Sequence, residues 1–106
     1  YAWVGDDAVL YTLGEITIGA NSVVSQKCYL CTGSHDFMSP HFDITASPVV
    51  IGEKCWLATD VFVAPGVSVG DGTVVGARSS VFKSLPANKI CRGNPAVVIR
   101  ERVETD

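Results

Sequence analysis

What this chain has little of narrows the choices first. It carries only two histidines and one methionine in 106 residues, and its eight Lys and Arg are outnumbered by eleven Asp and Glu. A protein that grips nucleic acid or an anionic membrane needs a basic face, and a formal net charge of −3 supplies none. No apolar run approaches bilayer-spanning length, and the N-terminus lacks the basic and apolar regions of a signal peptide. These absences predict a soluble, cytoplasmic protein, and the length predicts one domain, 1–106.

Cysteine is present but without the company that gives it chemistry. Cys28 and Cys31 have the C-x-x-C spacing of redox and zinc sites, with Cys55 and Cys91 far away. A zinc site needs further ligands at matching spacing, and a thioredoxin-like site needs a βαβ context. Neither is there, so the four thiols read as small buryable residues in a reduced compartment, with no metal expected.

What is present is a beat. From Ile51, stepping by six gives Leu57, Val63, Val69, Val75 and Val81, all aliphatic. The next position reads Gly52, Ala58, Ala64, Gly70, Gly76 and breaks at Phe82. The fourth position after each aliphatic reads Cys55, Val61, Val67, Thr73, Ser79. Upstream, Ile18, Val24 and Leu30 keep the same step, with Ser22, Cys28 and Ser34 in the small slot. Val4, Leu10 and Ile16 form a further set offset by two residues. Six matches no helical period, and the Val, Ile and Thr content favours strands. A short strand followed by a tight corner every six residues makes a polygonal coil with the aliphatic side chain inside. The adjacent Gly or Ala spares the corner a bulky Cβ. Stacked coils bury a continuous apolar column, which is an all-β parallel β-helix. The solenoid is expected to stop near Leu85-Pro86, where proline cannot donate to a ladder. The tail, about 87–106, then reads as a short C-terminal segment, helical after Pro95, whose apolar residues cap the column.

The beat fails once. Leu30 and Ile51 lie twenty-one residues apart where six would serve. The excursion, a loop over about 36–50, is longer than ordinary connections and is functional by prior. Its Phe37, Met38 and Phe42 predict packing against another surface, a neighbouring subunit above all. His35 is the last residue before the loop leaves the coil, so the rigid solenoid fixes its position, and a histidine there suits a general base. A surface histidine without a role is the competing reading, and His41, in mid-loop, reads as inert.

The stretches "YLCTGSHDF", "PVVIGEKCWLATDVFVAPGVSVGDGTVVGARSSVF" and "CRGNPA" resemble the hexapeptide-repeat O-acetyltransferases. The nearest group is the colanic-acid type, with maltose, nodulation and galactoside acetyltransferases beside it. The resemblance runs from about Trp3 to Arg100. It implies a left-handed helix, a homotrimer with each site between two subunits, and acetyl-CoA as co-substrate with a sugar or saccharide hydroxyl as acceptor. It places His35 as the base in a direct transfer without an acetyl-cysteine intermediate, and the backbone near Thr59 as oxyanion donor. Asp7 falls near an acceptor-contacting position, and a solvated corner aspartate is its plain alternative. Trp56, Thr59, Ala77, Phe82, Lys83 and Arg100 match coenzyme positions, with Lys83 and Arg100 meeting phosphates. Phe82 replaces a threonine common in galactoside enzymes and removes a hydroxyl contact. The group also carries an N-terminal segment ahead of the point where this sequence starts.

Other classes use similar coils. A catalytically inactive β-helix trimer, serving as a binding or structural module, is the main alternative. A γ-carbonic-anhydrase-like site takes three histidine ligands, more than His35 and His41 provide. An ice-binding solenoid needs a flat Thr-x-Thr array, which this sequence lacks.

Overall fold

Most corners of this chain are one turn that the sequence repeats. In a computed structural model describing residues 1–103, the unit runs Ala64-Pro65-Gly66-Val67, with Val67 N–H closing on Ala64 at 3.4 Å and Gly66 at φ 80°. Proline second and a positive-φ residue third is type II turn chemistry. The third position elsewhere holds Asp7, Lys27, Asp60 and Arg78 along one edge, and Asn21, Lys54, Gly72 and Asn88 along another, all at φ between 55° and 74°. The left-handed residue is thus two places beyond the Gly/Ala slot. That slot is small for a different reason: a Cβ on Gly70 would stand 2.5 Å from the Ala87 backbone nitrogen. It is a close approach between coils rather than a special φ.

Turns at that spacing fold the chain into three parallel sheets around one column. The first face carries β1 (Trp3–Val4), β4 (Val23–Val24), β9 (Trp56–Leu57), β12 (Val74–Val75) and β14 (Lys89–Gly93). The second carries β2 (Val9–Tyr11), β5 (Tyr29–Cys31), β10 (Phe62–Val63) and β13 (Ser80–Val81). The third carries β3 (Ile16–Ile18), β8 (Val49–Ile51) and β11 (Ser68–Val69). In register, Val24, Leu57, Val75 and Cys91 stack on one face, Leu30, Val63 and Val81 on the next, Ile51 and Val69 on the third, all buried. The small slot is a hydrogen-bonding slot as well. Ser22 Oγ donates to the Gly52 carbonyl at 2.6 Å, Cys28 Sγ to Ala58 at 3.1 Å, Cys55 Sγ to Gly70 at 3.2 Å and Thr73 Oγ1 to Pro86 at 2.6 Å. Each latches one corner to the next coil.

Four expectations need correction. The solenoid does not stop at Leu85: that residue is buried and bridges Val69, and six residues on Cys91 fills the inward slot beside Val75. The segment after Pro95 is a strand, β15 (Ala96–Glu101), antiparallel to β14 and the sixth strand of the first face. Its Val97, Val98 and Ile99 are exposed, so they do not cap the column; residues 104–106 of the expected tail lie outside the described residues. The excursion is a hairpin rather than a loop over 36–50. Its strands are β6 (Gly33–His35) and β7 (Ile44–Ala46), with 36–43 as the tip, and Val49–Ile51 already belong to the wall. Finally, Ser34 lies exposed in that hairpin, and Thr32 is the last buried residue before it, its Oγ1 donating to the Tyr11 carbonyl at 2.5 Å.

Candidate active site

Two irregular corners of the solenoid, each longer than the beat, sit one above the other, and the site begins there. In the first coil the corner between the second and third faces is two residues long of the beat, so Ile18 stacks on Ile51. In the second coil the same corner extrudes the hairpin. Between them Tyr11, Leu13, Gly33, Ser34, His35 and Ile44 line one pocket. Tyr11 and Leu13 were not singled out from the sequence, although the two-residue offset marks the corner that carries them.

His35 closes β6 with its ring exposed. Its Nδ1 lies 2.8 Å from the Phe42 carbonyl oxygen. A carbonyl can only accept, so Nδ1 carries the proton and donates. Nε2 of the neutral ring therefore keeps its lone pair and has no hydrogen-bond partner among the described residues. The hairpin thus fixes both the direction and the tautomer of the ring. Among the described residues the His41 side chain has no such partner; its backbone N–H points at Ser39 Oγ at 3.4 Å.

The remaining candidates divide between edges. Phe82 and Lys83 follow β13 and occupy the same edge as His35, two coils further along, both exposed. Phe82 stacks on Phe62 with centroids 5.9 Å apart, and Phe62 on Tyr29 at 6.0 Å, an aromatic ladder along the second face. Asp7, Thr59 and Ala77 lie instead on the edge between the first and second faces. There the Lys27, Asp60 and Arg78 N–H groups donate to the Asp6, Gln26 and Thr59 carbonyls in a ladder. Asp7 stands in a column with Lys27, Asp60 and Arg78, charges alternating along the edge, with Arg78 Nε 4.0 Å from Asp60 Oδ2. Trp56 leans toward this edge: its indole N–H donates to Ser25 Oγ at 3.0 Å and half the ring stays exposed. Arg100 is on β15, opposite Ile90.

Thr59 occupies the second position of its turn. Its neighbours Ala58 and Asp60 donate to Val75 and Gln26, while the Thr59 N–H has no partner among the described residues. The Ala77 N–H is in the same state, with Gly76 and Arg78 committed to Cys91 and Thr59. A proline in the equivalent place, Pro65, shows that the fold asks nothing of this N–H.

Cys31 Sγ donates to the carbonyl of the pocket residue Gly33 at 3.1 Å, and the other three cysteines are buried in the column. Burial raises the thiol pKa of Cys28, Cys55 and Cys91, and all four side chains are free thiols. Among the described residues no three His, Cys, Asp or Glu come together as metal ligands, and no helix is long and apolar enough to cross a membrane.

The repeat and the edge geometry have counterparts. Residues 48–83 match the bacterial transferase hexapeptide (six repeats) family. The chain is 84% identical, over all its 106 residues, to the Escherichia coli (strain K12) protein WcaF, assigned as a colanic acid biosynthesis acetyltransferase. The chain belongs to the hexapeptide-repeat acyltransferase family. It spans 58% of the length of that relative. Two solved members of the family superpose on it. One is a hexapeptide-repeat acetyltransferase of Vibrio cholerae O1 biovar eltor complexed with acetyl-CoA, with TM-score 0.87 and 25% identity, covering 97% of this chain and 61% of that one. Another is a galactoside acetyltransferase in complex with coenzyme A, with TM-score 0.85 and 26% identity, covering 96% and 60%. The fold is the family's left-handed parallel β-helix, the handedness that the resemblance implied and periodicity alone does not carry.

Proposed function

We propose that this chain is the core of an acetyl-CoA-dependent O-acetyltransferase that modifies a sugar or saccharide hydroxyl in polysaccharide biosynthesis in the cytoplasm. The observation that carries the reading is the committed tautomer of His35. With Nδ1–H given to Phe42, Nε2 is a base at the mouth of a pocket. It takes the proton of the acceptor hydroxyl as the oxygen attacks the thioester carbonyl, and transfer is direct. The Tyr11 ring and Leu13 give that pocket a partly apolar wall suited to a sugar face. Asp7 is the candidate acceptor contact from the other edge.

The developing oxyanion wants a fixed donor, and Thr59 offers an N–H with no partner among the described residues, held by a rigid turn. The small, exposed Ala77 leaves room along the same edge for the pantetheine arm, with Trp56 beside it. Phe82 flanks the arm from the His35 edge, and Lys83 and Arg100 are the cations for its phosphates. His35 and Thr59 stand on different edges of one prism, so the site completes where one copy's hairpin edge meets the turn edge of the next. A homotrimer with three such grooves satisfies this, and it gives the exposed Phe37, Met38 and Phe42 a surface to cover.

The test is release of free coenzyme A from acetyl-CoA across a panel of mono- and oligosaccharides, with His35→Ala alongside. Acceptor-dependent release is expected, falling roughly a hundred- to ten-thousand-fold in a variant that stays folded. A folded assembly that releases nothing with any acceptor would instead mark a binding or structural module.

A further inference from the structure

His35 is held through one bond, and that bond depends on how the hairpin tip is folded. Asp36 N–H donates to the Asp43 carbonyl at 2.8 Å, continuing the ladder beyond the His35–Ile44 pair. Two turns then follow head to tail. Ser39 N–H closes the first on Asp36 at 3.1 Å, and Phe42 N–H closes the second on Ser39 at 3.1 Å. Asp36 opens the first turn, its Oδ1 accepting from Met38 N–H at 2.9 Å. Ser39 opens the second, with Pro40 next, the residue types those places favour. The chain leaves the second turn through Phe42 at φ 49°. A bulky side chain in the left-handed region is uncommon and strained, so surrounding contacts must impose it. That conformation turns the Phe42 carbonyl back toward His35 Nδ1.

Beside these backbone bonds, one side-chain bond crosses the tip. Ser39 Oγ donates to Asp43 Oδ2 at 2.9 Å, tying the residue that opens the second turn to the residue just after Phe42. Phe42 is clamped between the two. We propose that Ser39 and Asp43 are positioning residues for His35: their bond holds Phe42 in the left-handed conformation that fixes the Nδ1–H tautomer and frees Nε2. Neither touches the reacting atoms. The inference rests on His35 being the base only for its catalytic consequence; the tautomer itself is a property of the chain without substrate.

The decisive readout is the pair of ¹⁵N shifts of the His35 ring at about pH 8, above the usual imidazole range, with His41→Asn separating the two histidines. The native chain is expected to show the Nδ1–H tautomer. Ser39→Ala and Asp43→Ala should move it toward the mixture of an unrestrained imidazole, with coil-to-coil amide protection unchanged, and Ser39→Thr should restore it. Where transfer is measured, kcat should fall about tenfold in both alanine variants with KM for either substrate held. A Ser39→Ala ring that keeps the native tautomer overturns the inference. A shifted tautomer in a chain that transfers nothing upholds it while ending the transferase reading.

Discussion

Two backbone groups carry most of the chemistry proposed here, which sets how side chains should be probed. The Phe42 carbonyl orients His35, the proposed base, and the Thr59 N–H is the candidate oxyanion donor; neither is removed by alanine substitution. The fold supplies a way to delete the second. Ala58-Thr59-Asp60-Val61 and Ala64-Pro65-Gly66-Val67 are the same turn one corner apart, so Thr59→Pro takes away the N–H in a place that already accepts proline. Loss of one oxyanion donor lowers kcat about a hundred- to a thousand-fold. Steady-state kinetics beside a thermal melt should show that loss with little change in unfolding temperature, and retained kcat would remove Thr59 from the mechanism. The buried thiols make a second residue-scale prediction. Cys28, Cys55 and Cys91 have folded pKa values raised by burial above the ordinary 9.0. Below that value both folded and unfolded chains hold the protons and stability is flat. Above it the unfolded chain releases them first, so stability falls as pH rises toward the folded values. Denaturant midpoints should hold steady in their thiol-dependent part from neutral pH to about 9 and then decline; a variant with all three replaced by serine or alanine should lose that alkaline decline.

At the scale of the element, the corner decides what the sequence can tolerate. Gly70 sits where a Cβ would meet backbone on the next coil, not a side chain able to move. Gly70→Ala should destabilise by about 1–3 kcal/mol, which for a chain of this size lowers the melting temperature by roughly 4–8 °C per kcal/mol. An unchanged melt would mean that the coils can spread at that corner. The inward column and this slot were legible because six-residue periodicity repeats one constraint many times. Leu85 and Cys91 were not, because the corner between Val81 and Leu85 is shorter than the beat, and a register break hides the coil beyond it. The strand after Pro95 was missed for a physical reason too. Its partner, β14, lies in that hidden coil, so the apolar run Ala96 to Ile99 had no visible neighbour and read as a cap. At the site, His35 announced itself by standing at the break. The Phe42 contact did not, because it depends on a left-handed residue that no aromatic advertises. Ser39-Pro40 was the available sign of the turn that leads to it.

For the whole molecule, the placement of the proposed site residues on two edges is the strongest constraint on the proposed mechanism. A triangular prism measuring 55 × 26 × 18 Å cannot fold one edge onto another, because its three sheets share a single packed column. In the proposed homotrimer, His35, Phe82 and Lys83 on one edge would meet Thr59, Ala77 and Asp7 on the next edge of the neighbouring copy. In the proposed cyclic assembly every groove would take its base from one subunit and its oxyanion donor from the neighbour. His35→Ala and Thr59→Pro chains should each be inactive alone for opposite reasons. Mixed by co-refolding or co-expression at equal amounts, about a quarter of the grooves draw an intact His35 from one copy and an intact Thr59 N–H from the other. Coenzyme A release should then recover to about that fraction of the native rate, while a mixture prepared without subunit exchange stays silent. Activity that never returns, in assemblies shown by native mass spectrometry to be mixed, would place base and donor on the same copy and rule out the shared groove. A recovery near a quarter would place the reaction at the seam between subunits.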